Sequence, residues 1–116
     1  MSNAAASNSP VDPAEEVKVT RNDEEGRYEA RIGDTRAGVA VFHRGRGVIS
    51  FTHTEVDPAF EGQGVGGELA RAALDDVREQ GLLVHPYCPF IRTWINRNPD
   101  YADLVDPKWH LPEGAE

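Results

Sequence analysis

The apolar residues of this sequence change their spacing at Asp57-Pro58, and this change restricts the possible folds more than any other feature. Before it, apolar and polar residues alternate, which is the pattern of half-buried strands. After it, apolar residues recur every four positions from 65 to 77, which is the pattern of an amphipathic helix. Strands followed by helices predict one sheet covered by helices, in the α+β class.

The first half of the chain is predicted to form a four-stranded meander. The expected strands are residues 17–20, 27–32, 36–43 and 48–56. The connections between them are short and contain glycine and charged residues. Because short turns join neighbouring strands of opposite direction, the four strands are expected to pair in an antiparallel sheet.

The second half is predicted to supply a helix, a strand and a C-terminal helix. The first helix contains the apolar stripe that starts at Val65, is about four turns long and is ended by Gly81. Residues 82–84 are apolar and form a short buried strand, which a right-handed crossover can place parallel to the fourth strand. Pro89 suits the first turn of the second helix, and Asn98-Pro99 ends it.

The 116 residues have room for one domain. Residues 1–16 are small, polar and interrupted by proline, which predicts a disordered N-terminal segment. Residues 106–116 contain two prolines and predict a loose C-terminal tail. The domain itself is therefore expected to span residues 17–105.

The charge of the chain argues against nucleic acid as a partner. The chain contains twelve Lys and Arg and twenty Asp and Glu, which gives a formal net charge of −8. Nucleic-acid binding, in contrast, needs many cations. An acidic surface mildly favours cationic substrates such as amines. Neither a long apolar run nor a charged leader is present, so neither a membrane nor export is expected.

The single cysteine, Cys88, cannot form an internal disulfide, which is typical of a protein of the reducing cytoplasm. One cysteine and four scattered histidines also lack the spacing of zinc ligands. We therefore expect a cytoplasmic protein without a metal site.

A glycine-rich segment, residues 60–67, joins the last strand of the meander to the first helix. Glycines there let the backbone approach a ligand, and the amides that open a helix attract negative charge. The alternative is a turn that serves only packing. Gly62, Gly64 and Gly67 match the dinucleotide pattern G-x-G-x-x-G, but the connection to the strand is long and no acidic residue ends the next strand. The Gly-Lys-Ser/Thr of a nucleotide-binding P-loop is also missing.

The order strand, Val-Asp-Pro, glycine loop, helix and strand resembles the core of the GNAT acetyltransferases. Their loop pattern, Gln/Arg-x-x-Gly-x-Gly/Ala, falls on Glu-Gly-Gln-Gly-Val-Gly at residues 61–66. Three further segments resemble the truncated, single-domain members more narrowly: His-Thr-Glu-Val at 53–56, Pro-Tyr-Cys-Pro at 86–89 and Asn-Pro-Asp-Tyr-Ala-Asp-Leu-Val at 98–105. The resemblance covers residues 17–105.

The resemblance implies a site for acetyl-CoA. Backbone amides of the loop would hold its pyrophosphate, and the residues concerned are Gln63, Gly64, Val65, Gly66 and Gly67. The pantetheine arm would lie along the end of the fourth strand near Glu55 and Val56, where the fourth and fifth strands part. Glu61 departs from the Gln/Arg of the family, and a carboxylate there is expected to weaken the affinity.

Three side chains are candidates for the chemistry. Cys88 directly precedes a helix, and the N-terminus of a helix favours the thiolate form of a cysteine. The resemblance implies that Cys88 is a nucleophile. The alternative is an inert packing residue, as most lone cysteines are. His53 and Glu55 lie two apart on one strand and share a face, so either can serve as a general base or merely face solvent. The resemblance favours His53, as the partner of the cysteine.

The second predicted helix has two expected roles. Its arginines, Arg92 and Arg97, and the following Asn98 would contact the adenosine phosphate end of the cofactor, or would be ordinary surface residues. Its apolar residues, Phe90, Trp94 and Ile95, are expected in the core, with Trp94 also able to line a substrate gap.

The predicted function is an acetyl-CoA-binding N-acetyltransferase that moves an acetyl group to an amine, directly or through Cys88. Because the leading helices of the full-length family are missing, the acceptor site is expected to be open, which suits a protein or peptide amine. The alternatives are a non-catalytic module that binds or senses acyl-CoA and an interaction domain without a small ligand.

Overall fold

The computed structural model describes residues 17–110, which form one five-stranded sheet with two α-helices. The strands are β1 (Lys18–Asn22), β2 (Arg27–Ile32), β3 (Thr35–Gly45), β4 (Val48–Val56) and β5 (Leu83–Pro86). The α-helices are α1 (Val65–Gln80) and α2 (Pro89–Arg97), and short 3-10 helices cover Pro58–Phe60 and Pro99–Leu104. Neither α-helix combines the length and apolar character that crossing a membrane would need.

The strands lie in the sheet in their order along the chain. Neighbours from β1 to β4 are antiparallel, and β5 is parallel to β4. This topology confirms the predicted meander, crossover helix and parallel strand. Helix α1 also has its predicted bounds, because its apolar stripe and the left-handed Gly81 at its C-terminus are both local signals.

The core lies between α1 and one face of the sheet. Helix α1 contributes its four-residue apolar stripe, and the strands contribute the large side chains Tyr28, Ile49 and Phe51, all almost fully buried. Ile95 of α2 is buried as predicted. The same prediction was wrong for Phe90, which is 40% exposed, because α2 turns that side chain toward the start of α1 rather than toward the sheet.

The opposite face of the sheet carries a buried carboxylate among arginines. Glu29 lies between core residues on β2 and is only 6% exposed. It accepts hydrogen bonds from Arg27 Nε at 2.8 Å, Arg31 Nη2 at 3.2 Å and Asn22 Nδ2 at 3.2 Å, and Arg36 Nη1 lies 4.0 Å away. The hydrogen bond from Arg27 is the largest of the effects that lower the pKa of Glu29.

Strand β4 contains a bulge at Thr52. Its neighbours Phe51 and His53 pair with adjacent residues of β3, Phe42 and Val41, so Thr52 is an extra residue. Because side chains alternate along a strand, the extra residue reverses which side chains face α1 after position 52. Phe51 faces the core, and after the bulge His53 and Glu55 are exposed while Thr54 is half-buried.

The C-terminal segment is attached to the sheet as far as the structure describes it. The amide of Asp106 donates to Val84 O at 3.1 Å, and His85 Nε2 lies 2.9 Å from Asp106 Oδ2. The indole of Trp109 stacks on His85 and meets Tyr87 edge-on. The expectation of a loose tail is therefore wrong for residues 106–110, and residues 111–116 lie outside the described residues.

Candidate functional site

The start of α1 presents free backbone amides. Gly64 is the N-cap residue, with a left-handed φ of +80°. Because glycine has no side chain, the helix has no side-chain cap within the described part of the chain. The first amide with a helical acceptor is that of Glu68, which donates to Gly64 O at 3.1 Å. Among residues 17–110, the amides of Val65, Gly66 and Gly67 have no backbone acceptor. Such a cluster, together with the helix dipole, suits an anion.

The amide of Gln63 differs from the others in the predicted set. It donates to Phe60 O at 3.3 Å, so it already has an acceptor. The side-chain oxygen Oε1 of Gln63, by contrast, is buried without a hydrogen-bond partner in the described structure. Gly62 and Gly64 both have positive φ, which explains why this loop is built from glycine.

Strands β4 and β5 separate beside this loop. Their pairing ends at Phe51 and Pro86, and the amide of Cys88 then donates to Phe51 O at 2.8 Å as α2 begins. Beyond this point β4 continues to Val56 while the chain after β5 turns into α2. Among residues 17–110, the end of β4 with Glu55 and Val56 therefore has no strand partner on the β5 side. The gap that the resemblance implied is present.

Cys88 lies at the inner end of this gap. Its side chain is 2% exposed, and its sulfur lies 3.3 Å from Thr54 Oγ1. The cysteine is a free thiol and the N-cap residue of α2, with no side-chain capping bond. The sequence placed it at a helix N-terminus, and the structure does so as well.

His53 and Glu55 lie on the other face of the sheet from Cys88. Their side chains are 59% and 72% exposed, and His53 Nε2 is 3.7 Å from Glu55 Oε2. They share a face, as their two-residue spacing predicted. Thr54, the residue between them, points to the cysteine instead. The structure thus brings His53 and Glu55 together but separates both from Cys88 by the thickness of the strand.

Helix α2 forms a second wall near the amides of α1. Phe90, Trp94 and Arg97 line a groove of about 320 Å³ with their neighbours on this helix. The ring of Phe90 takes the space beside Gly66: a Cβ at position 66 would lie 2.8 Å from its Cζ atom. This contact places the exposed face of α2 directly beside the free amides.

The polar residues predicted at this helix have partners within the protein. Arg92 Nη1 donates to the carbonyls of Pro86 and Tyr87, at 3.0 and 3.1 Å. Asn98 is the C-cap residue of α2, and its Nδ2 donates to Trp94 O at 2.8 Å. Both side chains therefore stabilise the turn and the helix end, and Arg97 is the charged residue that lines the groove.

A separate cleft lies where β3 begins and β4 ends. It has a volume of about 440 Å³ and is lined by residues 36–39 and 55–58. Val39 is the register partner of Glu29 on β2 and of Glu55 on β4. Because paired residues lie on the same face of a sheet and Glu29 faces away from α1, Val39 and Glu55 face away from α1 as well. The cleft is referred to below as the Arg36–Glu55 cleft.

The comparisons with known proteins agree with this geometry. A family model described as GCN5-related N-acetyl-transferase matches residues 27–104. The chain belongs to this family. It is 30% identical over 101 residues to Protein NATD1 of Xenopus tropicalis, which covers 84% of the chain and 93% of that protein. Protein NATD1 of Mus musculus is 30% identical over 95 residues, 78% of the chain and 86% of that protein.

The fold of this GCN5-related chain is found in a solved structure as well. The solution structure of a GCN5-like protein from Staphylococcus aureus has a TM-score of 0.61 and 20% identity, with 84% of the chain and 95% of that protein covered. At this identity the likeness establishes the fold. The family as a whole supports an acetyl-CoA-dependent acetyltransferase in general terms.

Three residues of the site were not predicted from the sequence to belong to it. Thr54 could have been found, because it lies between two candidates that share a face and must therefore point the other way. Phe90 gave no such signal, since its apolar side chain and helical spacing are those of a core residue. Arg36 gave none either, because a register shift between Ala30 and Arg31 decides where it lies.

Proposed function

We propose that this protein is an acetyl-CoA-dependent N-acetyltransferase whose cofactor diphosphate rests on the amides that open α1. The uncapped N-terminus of α1 beside the gap between β4 and β5 is the observation that supports this most directly. The amides of Val65, Gly66 and Gly67 would hold the diphosphate. The unpaired backbone at Glu55 and Val56 would bind the arm that leads to the thioester.

The residues present fit such a ligand. The left-handed Gly62 and Gly64 leave open space where a Cβ would be, so a phosphate group can approach the backbone. Glu61 is exposed, and its carboxylate can remain in solvent away from the anion. We expect Glu61 to weaken the affinity relative to a Gln or Arg at this position, without preventing binding.

The exposed pair His53 and Glu55 favours direct transfer to an amine. When bound, acetyl-CoA supplies an acetyl group activated as a thioester. The imidazole of His53, next to the Glu55 carboxylate at 3.7 Å, would accept the proton that the amine nitrogen loses as it forms the amide bond. The thioester bond breaks in the same reaction, and the proton would pass to the departing CoA sulfur. Glu55 would orient the imidazole through its contact with His53.

A relay through Cys88 is the second route. The Cys88 thiol would take the acetyl group from acetyl-CoA as a new thioester and give its proton to the departing CoA sulfur. The amine would then take the acetyl group from Cys88, and the proton that the amine loses would return to the cysteine sulfur. This route has to overcome the burial of Cys88 and its contact with Thr54. The free thiol is also the basis on which we propose the reducing cytoplasm as the location of the protein.

Calorimetric titration with acetyl-CoA tests the binding step. Acetyl-CoA at a hundred times its Kd should raise the free energy of unfolding by about 2.7 kcal/mol, and NAD and ATP in parallel should give less. An absence of both heat and stabilisation with acetyl-CoA would refute the proposed site.

Release of free CoA in the presence of a panel of amines tests the transfer step. His53→Ala should abolish most of the release, whereas His43→Ala, an exposed histidine of β3, serves as the matched control and should not. Cys88→Ala, together with mass spectrometry for an acetylated cysteine, separates the two routes. Binding without release for any amine would instead support a module that binds or senses acyl-CoA.

A further inference from the structure

The sheet face away from α1 is locally positive, although the chain carries a net charge of −8. Arg27, Arg31 and Arg36 surround the carboxylate of Glu29 on this face. Glu29 already accepts close hydrogen bonds from Arg27 and Arg31. Arg36, at 4.0 Å, is the most weakly held of the three, so its guanidinium retains donors for another anion.

Arg36 and Glu55 line the same cleft on this face. Within the described part of the chain, no ion pair joins them: Arg36 is paired with Glu29 and Glu55 with His53. Val39, the register partner of Glu55, supplies the apolar floor between the two charges. Unlike charges held apart over an apolar floor form a site with two poles, in a volume of about 440 Å³ that is typical of a small-molecule site.

We infer that the acceptor is a small amino-carboxylate, which binds with its carboxylate on Arg36 and its amine toward Glu55 and His53. This inference rests on the proposed transferase activity. A guanidinium offers two parallel N–H donors that match the two oxygens of a carboxylate. At the other pole, Glu55 attracts the ammonium form of the amine, and His53 lies 3.7 Å from Glu55, where it can remove a proton.

Local charge and overall charge favour different acceptors here. The acidic composition favours a simple cationic amine or a lysine-rich peptide. Such a molecule would place positive charge near Arg36, where a like charge is unfavourable. An amino-carboxylate satisfies both poles of the Arg36–Glu55 cleft, so it should be preferred to the same molecule without its carboxylate.

The test compares amino acids with their decarboxylated amines as acetyl acceptors. Phenylalanine is paired with phenethylamine, leucine with isoamylamine and lysine with cadaverine. For at least one pair, the amino acid should have a KM at least about tenfold lower than its amine, which corresponds to one charge-assisted contact. Arg36→Gln should remove this difference by raising the KM for the amino acid, with kcat nearly unchanged.

Two further variants guard against indirect effects. Arg46→Gln removes an exposed arginine in the turn at the opposite end of β4 and should leave both KM values unchanged. Arg36→Lys keeps the charge near Glu29 but loses the paired donors, so it should give an intermediate KM. This result would show that the folded sheet is intact while carboxylate recognition is weakened.

Equal use of amino acids and amines, or an Arg36→Gln variant with unaltered KM values, would overturn this inference while leaving the transferase in place. If acetyl-CoA binds but no acceptor reacts, calorimetric binding of the same pairs decides the matter. If an amino acid binds to the wild type and Arg36→Gln weakens this binding, the two-pole site is supported even though the proposed activity has failed. No binding of any amino acid would refute it.

Discussion

Replacing Gly64 by alanine separates backbone strain from ligand binding. Gly64 has φ +80° and ψ 12°, and an added Cβ would meet nothing within 4 Å. The folded protein therefore loses only the preference of glycine for this left-handed conformation, about 1–2 kcal/mol. For a domain of this size each kcal/mol lowers the Tm by about 4–8 °C, so the variant should still fold.

Gly47→Ala is the matched control for this variant. Gly47 also has a positive φ, +72°, and open space around a Cβ, but it lies in the turn before β4, at the opposite end of the strand from the amides. Its substitution should lower the Tm by a similar amount. Any difference between the two variants in cofactor binding then reports on the position and not on the strain.

Thermal unfolding and calorimetric titration with acetyl-CoA are the two assays. Gly64→Ala should raise the Kd at least about tenfold, equivalent to about 1.4 kcal/mol, because the methyl group projects into the open space that the diphosphate needs. Gly47→Ala should keep the wild-type Kd. The same Kd for both variants and the wild type would refute the assignment of the diphosphate to these amides.

Three other variants test the packing around the site. Glu29→Gln should lower the free energy of unfolding by about 1.5–3 kcal/mol at neutral pH. Because folding lowers the pKa of Glu29, the carboxylate stabilises the protein above its ordinary pKa of 4.5, and this stabilisation is lost as the pH falls below that value. The urea unfolding curves of wild type and variant should therefore converge in acid. Gly66→Ala should be destabilising because the Phe90 ring must move. In a double-mutant cycle measured by chemical unfolding, Phe90→Ala should remove at least about 0.5 kcal/mol of that cost. If the free-energy changes of the two substitutions simply add, the contact between Phe90 and position 66 is contradicted. Asp106→Asn should loosen the end of the chain and shift Trp109 fluorescence to the red, and an unchanged spectrum would show that the segment is held by other contacts.

Much of the fold could be predicted because its signals are local. The two-residue period marked the strands, and the apolar stripe with Gly81 marked α1 with its observed bounds. The order of elements then left few topologies, since short turns and a right-handed crossover fix the neighbours of each strand. The C-terminal segment was missed because its attachment depends on Asp106 meeting His85, a contact between residues 21 positions apart.

The site was less predictable than the fold. The amides of α1 followed from glycine and a helix start, and these are properties of a short stretch of sequence. The positions of Cys88 and His53 on opposite sides of β4 depend on the bulge at Thr52, for which the sequence contains no recognised signal. The charge distribution followed the same logic: a net charge describes the whole chain, whereas the arginines around Glu29 are assembled by the register of three strands.

The bulge at Thr52 also determines which change in length this strand can accept. Substitutions at position 52 alter one exposed side chain. Deletion of that residue would remove the bulge but leave Phe51 and His53 opposite the same residues of β3, so the side chains after it would keep their faces. Strict alternation with Thr52 retained would instead turn His53 and Glu55 inward and move the hydroxyl of Thr54 away from the cysteine. The facing of these three side chains can therefore survive the loss of residue 52, whereas a change that flattens the bulge and keeps that residue should disrupt it.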